Sequence, residues 1–161
     1  MRLNEEINRI KGIMYENENH TEFEIIGDIG ISPGLRVNII KNGVIGCAYM
    51  LNMNDSYELD EDSILFYDNS QFCKINCDKN FFNNDNSVYL HSLEVLPEYR
   101  GNGYGMMLMK KLLELVKNMG YKYATYISDK NNTQAEKIYN NLGRKIYHTD
   151  DKSNFSFFQL H

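Results

Sequence analysis

At 161 residues the chain has room for one domain and one core, by the usual allowance of roughly 100–200 residues per domain. Hydrophobic residues make up 42% and charged residues 24%, with 2 prolines, which excludes a disordered or collagen-like chain. The 17 basic against 22 acidic residues leave a net of −5, which argues against a protein that works by neutralising phosphate backbones, so nucleic acid is not an expected partner.

The charge is unevenly spread. Residues 1–86 hold 15 acidic and 7 basic side chains, a net of −8, whereas residues 87–161 hold 7 acidic and 10 basic, a net of +3. No stretch approaches the roughly 20 apolar residues of a bilayer span, and Met1 to Glu16 is studded with charge where a signal peptide is apolar, so the expected location is the cytoplasm, with no membrane partner. Cys47, Cys73 and Cys77 form no CxxC pair, so reduced thiols and no metal site are expected.

In chain order, Leu3, Ile7, Ile10 and Met14 recur at helical spacing among polar residues and predict an amphipathic helix over 3–15. Residues 23–32 are short and broken by glycine, and Pro33-Gly34 signals a turn. A hairpin follows, Leu35 to Lys41 and Val44 to Met53 around Asn42-Gly43, a pair favoured where both central residues need positive φ. Residues 54–86 read as an insertion: an acidic start (Asp55, Glu58, Asp60, Glu61, Asp62), short strands around Ile64 to Tyr67 and Phe72 to Asn76, and an Asn-rich loop. Then come a strand from Val88 to Val95, a glycine-rich connection, and a helix from Tyr104 to Met119 stopped by Gly120. Tyr123 to Ile127 is a strand. Asn132 or Thr133 caps a helix to about Asn141, with Thr133 and Glu136 fitting a capping box and Gly143 the stop. Lys145 to His148 and Phe155 to Leu160 complete the chain as strands around a polar turn. The order predicts a single α/β (α+β) domain, helices on a mixed sheet, over 1–161.

The stretch richest in chemistry is Leu93-Glu94-Val95-Leu96-Pro97-Glu98-Tyr99-Arg100-Gly101-Asn102-Gly103-Tyr104-Gly105: strand, glycine-dense loop, helix N-terminus. Glycines remove the β-carbons that keep an anion from the backbone, the first N–H groups of the helix point at the ligand, and Arg100 adds a charge. A Walker loop is excluded because Met106-Met107 stands where lysine and hydroxyl are required. A dinucleotide fingerprint is disfavoured because the glycines alternate at 101, 103 and 105 and no parallel mononucleotide half precedes them.

The pattern Arg100-x-x-Gly103-x-Gly105, preceded by Leu93-x-Val95-x-Pro97, resembles the acyl-CoA motif of the GNAT superfamily of N-acetyltransferases. Downstream, Asn132-x-x-Ala135-x-x-Ile138-Tyr139-x-x-x-Gly143 is similar to the family's second motif. Together they cover residues 87–147; the hairpin at 35–53 fits the family's second and third strands by order only. The resemblance implies a mostly antiparallel sheet splayed at the acyl-CoA-binding strand, an acyl-CoA half over about 87–161, and an acceptor-side half over about 1–86. It further implies that backbone N–H groups of Arg100, Gly101, Asn102, Gly103, Tyr104 and Gly105 hold the CoA pyrophosphate, that Val95 bonds the pantetheine arm, and that the Leu93 N–H faces the thioester carbonyl. Asn132 would contact the pantetheine region and Tyr139 would protonate the departing thiolate. For the base, strand alternation sets His91 one pleat from Leu93, where a neutral imidazole accepts a proton directly or through water; Glu94, solvent and an acidic residue of the insertion are the alternatives.

Two features depart from the family pattern: Arg144 follows Gly143 where an aromatic residue is usual, so packing or acceptor contact differs there, and the 54–86 stretch is long. The expected function is acetyl transfer from acetyl-CoA to a primary amine in a ternary complex, with a cationic amine as the first acceptor to test, by a monomer or homodimer. The alternatives are an acyl-CoA-binding regulatory module with little turnover, and an interaction protein that docks through residues 3–15.

Overall fold

A computed structural model describes residues 13–16, 22–27, 34–52, 57–59, 63–68, 71–76 and 85–160. Its strands are β1 (Ile13–Glu16), β2 (Glu22–Gly27), β3 (Gly34–Ile40), β4 (Val44–Asn52), β5 (Tyr57–Leu59), β6 (Ser63–Asp68), β7 (Gln71–Asn76), β8 (Ser87–Val95), β9 (Tyr123–Asp129), β10 (Lys145–Thr149) and β11 (Ser153–Gln159), and its helices are α1 (Tyr104–Asn118) and α2 (Thr133–Asn141). Two compact units divide them, one drawn from Met1–Met50 with Ser92–Met119 and the other from Leu51–His91 with Gly120–His161.

In the first unit, β1 pairs antiparallel with β2 from Ile13↔Ile25 to Glu16↔Glu22, and β2 with β3 from Glu22↔Ile40 to Gly27↔Leu35. The predicted hairpin is present: β3 turns into β4 at Lys41–Gly43, where Asn42 (φ 58) and Gly43 (φ 112) adopt the positive φ that this pair tolerates. The ladder places Phe23 and Ile25 opposite Ile39 and Val37, and all four are buried. Against β3 packs α1, whose Leu108, Met109, Leu112 and Val116 form a buried stripe at helical spacing. Gly46 on β4 permits a close approach: a β-carbon there would stand 2.8 Å from the Glu94 carbonyl oxygen and 3.1 Å from Leu108 Cδ1.

The helix predicted over 3–15 is corrected at its end. Ile13–Glu16 is a strand, because pairing with β2 gives these four residues backbone partners outside their own segment, which overrides a local 3.6-residue pattern. Its earlier residues lie outside the described ones.

In the second unit the start of β8 pairs in parallel with β9 from Ser87↔Tyr123 to Tyr89↔Thr125, β9 pairs antiparallel with β11 over Ser153↔Asp129 to Gln159↔Tyr123, and β11 with β10. Among the described ladders β8–β9 is the parallel one, running from Ser87 to Tyr89 at the start of β8. The core here is aromatic: Tyr89, Tyr121, Tyr126, Tyr139, Phe155 and Phe158 are buried. The insertion forms a separate antiparallel sheet, β5-β6-β7, so the two expected short strands are joined by a third. Before β11, Asp150 accepts from the backbone N–H groups of Lys152 (2.8 Å) and Ser153 (2.7 Å), bonds that hold its carboxyl below the usual range and fix the polar turn. The chain is therefore a mixed α/β fold with a mostly antiparallel sheet flanked by helices.

Charge sorts differently in space than along the chain. The first unit carries 10 acidic and 9 basic residues, a net of −1, and the second 12 and 8, a net of −4, so the −8 and +3 halves are not the charges of the two compact units.

Candidate functional site

In the first unit β8 ends at Val95, and the chain turns through Leu96, whose N–H donates to the Ile45 carbonyl at 2.8 Å, into a short 3-10 turn, Pro97–Tyr99. Arg100 is extended (φ −68, ψ 156) and Gly101 left-handed (φ 79), the pair of a type II-like turn that demands glycine second. The Asn102 amide holds this turn by donating to the Tyr99 (3.0 Å) and Arg100 (3.3 Å) carbonyls. Gly103 is left-handed again (φ 83) and leads straight into α1.

That entry leaves the helix end open. The first intrahelical bond runs from Met107 N–H to the Gly103 carbonyl at 3.1 Å, so helix geometry gives the N–H groups of Gly103, Tyr104, Gly105 and Met106 no acceptor within α1. Among the described residues no side-chain hydrogen bond caps this end. Gly101 and Gly103 face open space, with nothing within 4 Å of where a β-carbon would stand. The fixed partial positive charge of the helix end is thus presented to solvent through a loop without side-chain obstruction.

Two cations adjoin this end. Exposed Arg100 folds back so that its Nε donates to the Val95 carbonyl at 2.8 Å. The second, Lys41 of the β3–β4 turn, donates from Nζ to the Tyr104 hydroxyl at 3.4 Å, and Tyr104 meets the Tyr99 ring edge-on at 6.4 Å. Lys41 was not legible in the sequence, because it stands 63 positions from Tyr104 in an ordinary hairpin turn. A cleft of about 400 Å³ runs alongside, bounded by Val44 to Cys47, Glu94 to Pro97 and Arg100. Leu93 and Val95 are half-buried and Glu94 is exposed.

The second unit holds the other expected residues. His91 is exposed on β8. Asn132 is the N-cap of α2, its Oδ1 accepting from Ala135 N–H at 3.2 Å. The capping box expected from Thr133 and Glu136 does not form, because Glu136 is engaged elsewhere: it accepts from the Ser128 hydroxyl at 2.6 Å and from Arg144. Tyr139 is buried, its ring 4.4 Å from Tyr126 and 6.4 Å from Phe158. Burial pushes its phenol up to about 12; the Glu136 charge adds to this and the Arg144 charge opposes it.

Arg144, the departure from the family pattern, is a packing element here. Its side chain is 3% exposed, and it donates to Glu136, to Asn140 Oδ1 (2.8 and 3.1 Å) and, at longer range, to the hydroxyls of Ser128 (3.4 Å) and Ser156 (3.5 Å). Burial works against both charges of the pair. The bonds from Arg144 and Ser128 nevertheless hold the Glu136 carboxyl below its ordinary range, and the bond to Glu136 holds the Arg144 guanidinium above its own.

The structure thus gathers Leu93, Val95 and Arg100 to Gly105 in the first unit, and His91, Asn132 and Tyr139 belong to the second. No helix of the described residues is long and apolar enough to cross a membrane.

The model of the acetyltransferase (GNAT) family matches residues 5–143. No curated protein matches the chain. Among solved structures it is similar to YncA, a putative acetyltransferase from Salmonella typhimurium with acetyl-CoA, at 17% identity and a TM-score of 0.54 over 81% of this chain and 66% of that one. It is also similar to the PaiA N-acetyltransferase of Thermoplasma acidophilum in complex with coenzyme A (16%, TM-score 0.53, 78% and 60%). A third is a putative streptothricin acetyltransferase of Bacillus anthracis with acetyl-CoA (16%, TM-score 0.54, 78% and 63%). The chain spans about three fifths to two thirds of the length of these proteins.

Proposed function

The chain belongs to the GNAT acetyltransferase family, and from that premise we propose that it is an N-acetyltransferase that moves an acetyl group from acetyl-CoA to a primary amine within a ternary complex. The observation that carries the proposal is the open N-terminus of α1: four N–H groups without a cap, two left-handed glycines and two flanking cations suit a diphosphate. Bound acetyl-CoA supplies an activated thioester. The loop N–H groups from Arg100 to Gly105 and the cations Arg100 and Lys41 bind its phosphates. Val95 holds the pantetheine arm through its backbone N–H, since its carbonyl already serves Arg100.

The amine nitrogen attacks the acetyl carbon, the C–S bond breaks, and the ammonium proton passes to a base. The Leu93 N–H donates to the carbonyl oxygen as negative charge develops there, a type of contact worth about 2.7–4 kcal/mol of barrier in other enzymes. His91 takes the proton directly or through water, its exposed position giving it a solvent exit; Glu94, at the cleft, is the alternative acceptor. Asn132 caps α2 and presents its amide N–H to the pantetheine region. Tyr139 is the donor to the leaving sulfur. With its phenol pushed up to about 12, full transfer to a thiolate of pKa ~8.5 would run uphill by roughly three powers of ten. Tyr139 therefore acts by holding a hydrogen bond on the developing thiolate, and the proton released from the amine later neutralises it.

The acceptor is a primary amine, with cationic amines first in order of test because the chain is acidic, net −5. Of the acidic run at 55–62 only Tyr57–Leu59 lies among the described residues. The test is amine-dependent appearance of free thiol from acetyl-CoA over a panel of polyamines, aminoglycosides and peptides. Turnover with at least one amine is expected. Tight CoA binding without thiol release from any of them would leave a binding module instead. Y139F is expected to lower kcat about tenfold with CoA affinity within about twofold.

A further inference from the structure

Arg144 does two things to the helix that carries Tyr139. Its backbone closes the helix in a Schellman arrangement: the Arg144 N–H donates to the Tyr139 carbonyl and the Gly143 N–H to the Asn140 carbonyl, both at 3.1 Å, with Gly143 left-handed (φ 84). The residue in the Arg144 position of this motif usually makes an apolar contact back to the last turn. Here the guanidinium reaches back instead, holding Glu136 and Asn140 on α2 and extending to Ser128 of β9 and Ser156 of β11. It thereby ties both turns flanking Tyr139 to the two strands beneath. The same strands supply Tyr126, whose ring packs on Tyr139 and stacks on Phe158 of β11 at 5.3 Å. The Tyr126 hydroxyl is buried beside Arg144 and Ser156, so the aromatic stack under Tyr139 also adjoins the clamp.

We propose that Arg144 is a positioning residue for Tyr139, its clamp on Glu136, Asn140, Ser128 and Ser156 fixing where the phenol is presented. This rests on Tyr139 being the donor to the leaving thiolate. A fixed phenol matters because a hydrogen bond to a developing charge weakens steeply with angle and distance.

The test compares wild type, Y139F, R144M and the charge-free double variant E136Q/R144M, in which no unpaired buried charge remains to unfold the chain. For each, circular dichroism establishes folding, steady-state kinetics separates kcat from the KM for acetyl-CoA, and NMR follows the Tyr139 ring resonances, assigned by their loss in Y139F. The expected result is a folded double variant with kcat down about tenfold, KM for acetyl-CoA within about twofold, and displaced Tyr139 resonances. A folded variant with wild-type kcat and unmoved resonances overturns the proposal while Y139F remains impaired. If Y139F itself keeps wild-type kcat, the donor role of Tyr139 falls, and with it the catalytic part of the proposal. Failure of both Arg144 variants to fold would overturn it too, since Arg144 would then serve folding alone.

Discussion

At the start of α1 a left-handed glycine leads into the helix with no side-chain cap, whereas at the start of α2 the Asn132 side chain accepts from the Ala135 N–H at 3.2 Å. Each helix faces the same problem of N–H groups without intrahelical acceptors. The second helix satisfies part of it with its own side chain, and Arg144 then secures its other end with a Schellman turn and a part-buried ion pair. The first has no such cap, and its end lies beside Lys41 and Arg100. The difference teaches where to look for a ligand: a helix end that the fold has not satisfied, flanked by charge of the right sign, is the one suited to an anion.

The sealed region breaks most expensively. Replacing Glu136 with Leu leaves the 3%-exposed Arg144 side chain without its counter-charge, and urea denaturation should show a loss of about 3–5 kcal/mol, most of it recovered in E136L/R144M. The same pair sets a pH dependence. Because the folded Glu136 carboxyl lies below its ordinary value of about 4.5, its stabilisation is complete above that pH and is lost as pH falls through the lower folded value. Below about pH 4.5 the wild type should therefore lose stability more steeply than E136Q. Tyr139 has the opposite sense: its raised phenol contributes fully below about pH 10, and that contribution disappears as pH rises from about 10 to about 12.

Next in size is the attempt to close the open region. G103D puts a carboxylate at the start of α1, in a left-handed conformation (φ 83) that strains a side chain, and should weaken CoA binding at least about 100-fold, or ~2.7 kcal/mol, with some loss of thermal stability from that strain. Calorimetric titration with CoA decides it; unaltered affinity would remove the α1 end as the phosphate site. Opening the closed region costs less. N132A should lower stability by about 1 kcal/mol in urea denaturation, and N132D, which keeps the cap, should restore it. The smallest effect is expected from exposed Lys41: K41A should weaken CoA binding roughly threefold at low salt, and the difference should vanish as ionic strength rises.

Local grammar made much of this visible in advance. The Asn42-Gly43 turn, the glycine-rich entry into α1, the stripe of α1 and the stops at Gly120 and Gly143 (φ 92 and 84) all follow from short-range sterics that a few adjacent residues decide. The first element was misread at Ile13 to Tyr15 because strand pairing is decided by partners eight to twelve residues away, which periodicity does not register. The capping box failed for a similar reason: Thr133 and Glu136 have the right spacing, but Arg144 and Ser128 compete for the carboxylate and win it. The charge split along the chain dissolved because both units are assembled from separated segments.

The sequence by itself determined the β3–β4 hairpin, the order of elements from β8 onward, the glycine-rich entry into α1 and the two motifs that tie the chain to its family, since each depends on residues within one or two turns of one another. Only the tertiary structure decided that Lys41 stands beside Tyr104, that the start of β8 pairs in parallel with β9, and that Arg144 is a buried clamp rather than a surface cation. These depend on contacts between groups far apart in the chain, whose free energies arise from burial and geometry that no local pattern encodes.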